Sequence, residues 1–135
     1  MIDGKLVGCS VSNGGTFEMY AGEILGTTGL GGVSNSGTFM MSGGKISNNY
    51  AYVSGGGVNN GGTFTMSGGE ICNNHADYYG GGVDNGGTFV MSGGTISDNT
   101  STYGGGLCSR YSDDYSLIGG EISGNTAEFG SNIYP

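Results

Sequence analysis

Along Thr63-Phe64-Thr65-Met66-Ser67, polar and apolar residues alternate with a period of two, the pattern of a strand with one buried face. Val58 and Ile71 each centre a further short apolar step. Glycines separate the three pieces as Gly55-Gly56-Gly57, Gly61-Gly62 and Gly68-Gly69. Glycine permits a positive φ at tight corners, where a Cβ would clash. The pattern therefore predicts three short strands and three corners.

The same unit recurs along the chain. Residues 57–71 reappear as 82–96 and, earlier, as 32–46, with Thr38, Thr63 and Thr88 equally spaced 25 residues apart. A shortened copy covers 11–24, with Thr16, Phe17 and Met19 in register, and a variant covers 107–122, with Tyr115 and Leu117 in the Phe and Met places. One unit offers only Val, Phe, Met and Ile for burial, too little for independent stability, whereas stacked copies share a continuous core.

Coils about 4.8 Å apart place equivalent side chains over one another. Three internal columns are expected: Phe17, Phe39, Phe64, Phe89 and Tyr115; Met19, Met41, Met66, Met91 and Leu117; and Ile24, Ile46, Ile71, Ile96 and Ile122. Asn13, Asn35, Asn60 and Asn85 recur at one corner, and Asn49, Asn74, Asn99 and Asn125 at another. Amides stacked there form an asparagine ladder, bonding to one another and to backbone groups that a corner leaves unpaired. The expectation is an all-β chain, a right-handed parallel β-helix. It is a three-sided β-solenoid of about five coils of ~25 residues, roughly 24 Å long, and a single domain over 1–135.

Repeats of the form Gly-Gly-Gly-Val-x-Asn-x-Gly-Thr-Phe-x-Met-Ser-Gly-Gly-x-Ile-x-x-Asn resemble those of right-handed parallel β-helix surface proteins, the adhesin-like and polymorphic outer membrane protein-like families. The resemblance spans roughly residues 9–134. It implies a secreted or cell-surface setting, within a larger protein. Residues 130–135 resemble the opening of another coil, and no amphipathic helix precedes the first one. An open strand edge invites pairing, so the expectation is a segment of a longer array, or ends that meet by end-to-end or edge self-association.

Composition narrows the partners. Glycine supplies 33 of 135 residues, and three Lys+Arg against eleven Asp+Glu leave a net charge of −8. Lys5, Lys45 and Arg110 are dispersed, which disfavours nucleic acid and anionic membrane surfaces. No run approaches the ~20 apolar residues of a membrane-spanning helix, and the segment after Met1 has no long apolar stretch of a secretion signal. Cys9, Cys72 and Cys108 are odd in number and form no CxxC pair, so neither a disulfide framework nor a zinc site is expected. Cys72 and Cys108 each follow an inward residue and are expected to point outward.

Catalytic constellations are sparse. A pectate-lyase-like enzyme needs basic residues beside carboxylates, and the three basic residues occupy different repeats. Glu23, Glu70 and Glu121 share a repeat position but are interrupted by Lys45 and Thr95, too broken a row for a paired-carboxylate hydrolase. Calcium would draw on Asp113 and Asp114, or on Asp84 and Asp98, without a recognised ligand spacing. Ice binding would use the Thr16, Thr38, Thr63, Thr88 rank and the Ser42, Ser67, Ser92 rank, but the row between them reads Glu18, Met40, Thr65, Val90. Neither metal nor cofactor is expected.

The segments after each second-corner asparagine vary, and most tyrosines lie there. Variable segments on one side of a repeat stack are where recognition is usually placed. Tyr50, Tyr52, His75, Asp77, Tyr78, Tyr79, Tyr103, Arg110 and Tyr111 are the candidate binding residues, directed at a glycan or a cell-surface protein. An equal alternative has Tyr79, Tyr103 and Phe129 as an outer aromatic ladder that stiffens the corner. The expected function is a non-catalytic, structural or adhesin-like module, with a carbohydrate-active enzyme and an ice-binding protein as alternatives.

Overall fold

A computed structural model describes residues 4–109 and 114–135, and within them there is no helix. Short parallel strands stack into a β-solenoid of about five coils. Sheet 1 runs from Val11–Asn13 through Val33–Asn35, Val58–Asn60, Val83–Asn85 and Leu107–Cys108 to Ile133–Tyr134. Sheet 2 comprises Thr16–Met19, Thr38–Met41, Thr63–Met66, Thr88–Met91 and Tyr115–Leu117. Sheet 3 comprises Lys5–Val7, Glu23–Leu25, Lys45–Ser47, Glu70–Cys72, Thr95–Ser97 and Glu121–Ser123.

The three strands expected per coil are joined by a fourth. The variable segments, read as loops in the sequence, form sheet 4 from Thr28–Gly29, Tyr50–Ala51, His75–Ala76, Thr100–Tyr103 and Thr126–Phe129. Their inward row is Gly29, Ala51, Ala76, Ser101 and Ala127, small residues that let this side lie close to the core. Each coil thus has four sides rather than three.

Register is identical-on-identical through the middle of the stack: Phe64 pairs with Phe39 and Phe89, and Met66 with Met41 and Met91. The four Phe rings stack at centroid distances of 5.0, 4.7 and 5.0 Å. Phe39, Phe64 and Phe89 are completely buried, as are Ile24, Ile46, Ile71 and Ile96. The columns weaken in the last coil. Tyr115 and Ile122 are partly buried, and Leu117, in register with Met91, is exposed because no described coil covers it.

Both asparagine ladders form. In the first, the side-chain amides of Asn13, Asn35 and Asn60 donate to the Oδ1 of the next asparagine at 2.8, 2.8 and 2.9 Å, and Asn85 donates to the Ser109 hydroxyl at 3.2 Å. The second runs Asn49, Asn74, Asn99, Asn125 at 3.0, 3.0 and 2.9 Å and ends on Asn132. Thr27 stands at its start and donates to Asn49. Just before each rung the chain enters the left-handed region: Asn48, Asn73 and Asp98 have φ of 54, 55 and 56°, with Gly26 and Gly124 at the same place in the outer coils. Glycine, asparagine and aspartate are the residues that tolerate this conformation.

Some doublet glycines serve a purpose other than φ. Gly61 and Gly62 have no positive φ, yet a Cβ on Gly62 would lie 2.1 Å from the Gly37 carbonyl oxygen of the neighbouring coil. Close passage of backbone over backbone, rather than turn geometry, requires glycine there.

The cysteines depart from expectation. Cys9 is exposed, but Cys72 and Cys108 are buried. Burial pushes the Cys72 thiol up, against a smaller opposing effect of Lys45. Cys108 is on sheet 1, where the preceding turn folds back over the outer face. A Cβ on Gly104 would lie 2.9 Å from the Cys108 Cα, and the Tyr103 ring reaches the Tyr134 ring, next in register to Cys108, at 5.2 Å. An outward direction on this sheet is therefore not exposure to solvent.

Candidate functional site

Sheet 4 brings together the residues that the sequence left scattered over two variable segments. Its outward row runs Thr28, Tyr50, His75, Thr100, Thr126. Because coils are one strand apart, the Tyr50 and His75 rings stack, with centroids 5.3 Å apart and planes at 25°. Tyr52, two residues after Tyr50 on the same side, meets the Tyr50 ring edge-on at 5.4 Å.

Asp77 is the hub. Tyr50 donates its hydroxyl to Asp77, which it approaches at 2.7 Å from Oδ1 and 2.8 Å from Oδ2. His75 Nε2 lies 3.2 Å from Asp77 Oδ1, and His75 Nδ1 lies 2.7 Å from Thr100 Oγ1. With its proton on Nε2, the imidazole donates to Asp77 and accepts from the Thr100 hydroxyl. Thr102 donates to the Asp77 backbone carbonyl at 2.8 Å, fixing the turn that carries the carboxylate. Tyr50 feels this arrangement. Its hydrogen bond to Asp77, reinforced by slight desolvation and the nearby negative charge, holds the phenol above its ordinary pKa.

That shift has a measurable consequence. Donation requires the neutral phenol, so the contact contributes to stability below the ordinary tyrosine pKa of about 10 and is lost as pH rises through the higher folded value. Titration followed by phenolate absorbance is expected to reveal late-ionising tyrosines, and Asp77→Asn should bring Tyr50 back toward the ordinary range. Tyr20, raised by its bond to Glu18, should stay late in that variant. An unchanged profile would place the Tyr50–Asp77 contact outside the solution structure.

The other candidates separate into two groups. Tyr79, Tyr103 and Phe129 stack along the corner at 5.3 and 5.0 Å, with planes at 22° and 14°, which is the outer ladder weighed above. Tyr78 is exposed beside Tyr79, its ring 6.2 Å away. Arg110 and Tyr111, like Asp113, lie outside the described residues. Thr100 and Thr102 were not anticipated. The signal was present as position 100 standing one repeat after position 75, but it needed the register of sheet 4.

Elsewhere, the acidic row on sheet 3 is a charge ladder. Lys5 pairs with Glu23 at 3.5 Å and Lys45 with Glu70 at 3.8 Å, over a shallow open trough of about 650 Å³ floored by Gly22, Gly44 and Gly69. Lys45 thus pairs with Glu70 on one side and stands in register with Glu23, the partner of Lys5, on the other. Asp84 is buried on sheet 1 and Asp98 is an exposed corner residue. The outward row of sheet 2 reads Glu18, Met40, Thr65, Val90, Ser116, uneven in size and polarity. Among the described residues, no three His, Cys, Asp or Glu side chains converge as metal ligands.

Compared with protein-family models, curated proteins and solved structures, the chain finds no match in any of the three.

Proposed function

We propose that this chain is a non-catalytic, adhesin-like β-solenoid module of a larger secreted or cell-surface protein, and that it binds through the outer face of sheet 4. One observation carries the reading. The repeated residues build the scaffold, while the non-repeated ones assemble Tyr50, Tyr52, His75 and Asp77 into an ordered, partly exposed network on one side. Side chains locked by mutual contacts lose little freedom on binding, which favours affinity. The resemblance of the repeats to adhesin-like and polymorphic outer membrane protein-like families supports the surface setting. Parallel arrays of glycans and of extracellular protein fragments test this reading. Binding that is lost in Tyr52→Ala together with His75→Ala, with folding intact, is the expected outcome. Retention by the double variant would move the function off this face.

A second reading, a carbohydrate-active enzyme, draws on Thr100, His75 and Asp77, whose hydroxyl–imidazole–carboxylate connectivity is that of an activated nucleophile. Release of ester-linked acyl groups from a polysaccharide that disappears in His75→Ala would favour it over the binding module.

A further inference from the structure

We propose that the outer face of sheet 4 docks a protein segment in which an arginine or lysine is flanked by apolar side chains. The cation would be taken by Asp77 and the flanking groups by Tyr52, Val53 and Tyr78. This rests on the binding reading above and names the chemistry of the partner.

The apolar part of the argument is one of distribution. Ten large hydrophobic side chains are exposed among the described residues. Five of them, Leu30, Tyr52, Val53, Tyr78 and Phe129, lie on sheet 4 or the turn leaving it. Val53 and Tyr78 are directly connected, the Tyr78 amide donating to the Val53 carbonyl at 3.0 Å; Tyr78 follows Asp77 in sequence, and the Asp77 amide donates at 3.1 Å to the carbonyl of Ala51, the residue before Tyr52 on the adjacent coil. Four others, Tyr20, Met40, Leu117 and Ile118, lie on sheet 2 or the turn leaving it; on sheet 4, Tyr52, Val53 and Tyr78 come from neighbouring segments of adjacent coils, and exposed apolar groups so placed suit a protein partner.

Charge selects the partner. The two described cations, Lys5 and Lys45, both belong to sheet 3 and face glutamates there. Sheet 4 and its turns carry Asp77 and Glu128 with no lysine or arginine among the described residues. Asp77 has one Oδ1 shared by two donors, while Oδ2 receives only the Tyr50 hydroxyl. A carboxylate offers about four lone-pair positions, so Oδ2 retains capacity for a further donor. A guanidinium or ammonium supplies that donor with a charge-assisted bond. A net charge of −8 steers such a partner inward.

A neutral sugar fits less well. Sugar stacking wants a free aromatic face, and here rings cover one another: Tyr50 lies against His75 and under the Tyr52 edge, and Tyr103 lies between Tyr79 and Phe129. The Tyr52 and Tyr78 rings remain exposed beside aliphatic surface and a carboxylate, a combination that a cation with apolar flanks uses more fully than a neutral sugar.

The test is an amide-resolved NMR titration of the whole chain with three probes. One is a capped synthetic peptide with arginine between leucines, the second is its citrulline counterpart, neutral but of the same shape, and the third is a neutral gluco-oligosaccharide. The arginine peptide should shift resonances of residues 50–53 and 75–78, bind about tenfold or more tightly than the citrulline peptide, and weaken as salt is raised. Asp77→Asn should remove the preference for arginine, and Glu18→Gln, on sheet 2, should leave it intact. Tyr52→Ala should weaken both peptides alike. Equal binding of arginine and citrulline, a preference that survives Asp77→Asn, or shifts spread over all carboxylates would overturn the inference. If the oligosaccharide alone moves these resonances, the inference fails while the binding-module reading stands. If no probe moves them, the inference fails, and the two arrays decide the broader reading separately.

Discussion

Phe64→Ala is expected to lower unfolding stability by about 3–5 kcal/mol, the range for removing a fully enclosed aromatic ring. Among the described residues, Phe64 is the only ring with completely buried stacking partners on both sides, at 4.7 Å to Phe39 and 5.0 Å to Phe89. Truncation leaves a ring-sized void in a column whose neighbours are fixed by strand pairing above and below, so collapse around it is restricted. Phe17→Ala provides the comparison. Among the described residues, Phe17 stacks on Phe39 alone and keeps some exposure, and its loss should cost roughly half as much if stability is summed over neighbouring coils. Urea denaturation of both variants measures the difference. Equal losses would mean that the stack does not behave as a series of nearest-neighbour interfaces.

Everything that repeats was legible. The Phe, Met and Ile columns and both asparagine ladders follow from one assumption, that equivalent residues in successive coils stand in register, and sheets 1 to 3 obey it strand by strand. Sheet 4 escaped because two-residue strands such as Tyr50–Ala51 and His75–Ala76 are too short to display a period of two. The trace was the small inward row of Ala51, Ala76, Ser101 and Ala127, which is recognisable only after the segments are aligned by repeat. Glycine spacing was read as turn chemistry, and for Gly69 and Gly55 it is. At Gly62 the reason is the approach of the next coil, a contact between residues 25 apart that no local pattern reveals.

The candidate site was legible as composition and hidden as geometry. Tyr50, Tyr52, His75 and Asp77 stood out as chemistry-bearing residues in segments that do not repeat. Their convergence depends on His75 lying directly below Tyr50 and on the turn at Asp77 being tied to Thr102. Cys108 failed for a related reason: alternation along a strand says which way a side chain points, and the Tyr103 turn decides whether anything lies over it.

Asn74→Ala should be nearly as damaging as the loss of Phe64, although it removes far less apolar surface. The Asn74 side chain is buried. Its amide donates to the Ile46 carbonyl at 3.0 Å and to Asn99 Oδ1 at 3.0 Å, while its Oδ1 accepts from both the backbone and the side-chain nitrogen of Asn49, at 3.1 and 3.0 Å. Alanine leaves these groups inside the corner with too few partners, and each buried polar group so stranded costs about 1–3 kcal/mol, for a total of roughly 3–5 kcal/mol. Asn74→Asp separates hydrogen bonding from shape. The carboxylate can accept from Asn49 but, when ionised, cannot donate to Ile46 or Asn99, and burial further disfavours its charge. Its pKa is therefore raised in the folded state, so the bonds of the neutral acid support the fold below the unfolded value of about 4 and are lost as pH rises through the folded one. Thermal unfolding of Asn74→Asp should accordingly show a fold that strengthens on mild acidification, whereas Asn74→Ala stays low at either pH. An aspartate variant as stable at neutral pH as the parent would mean that the donor side of this rung contributes nothing to the stack.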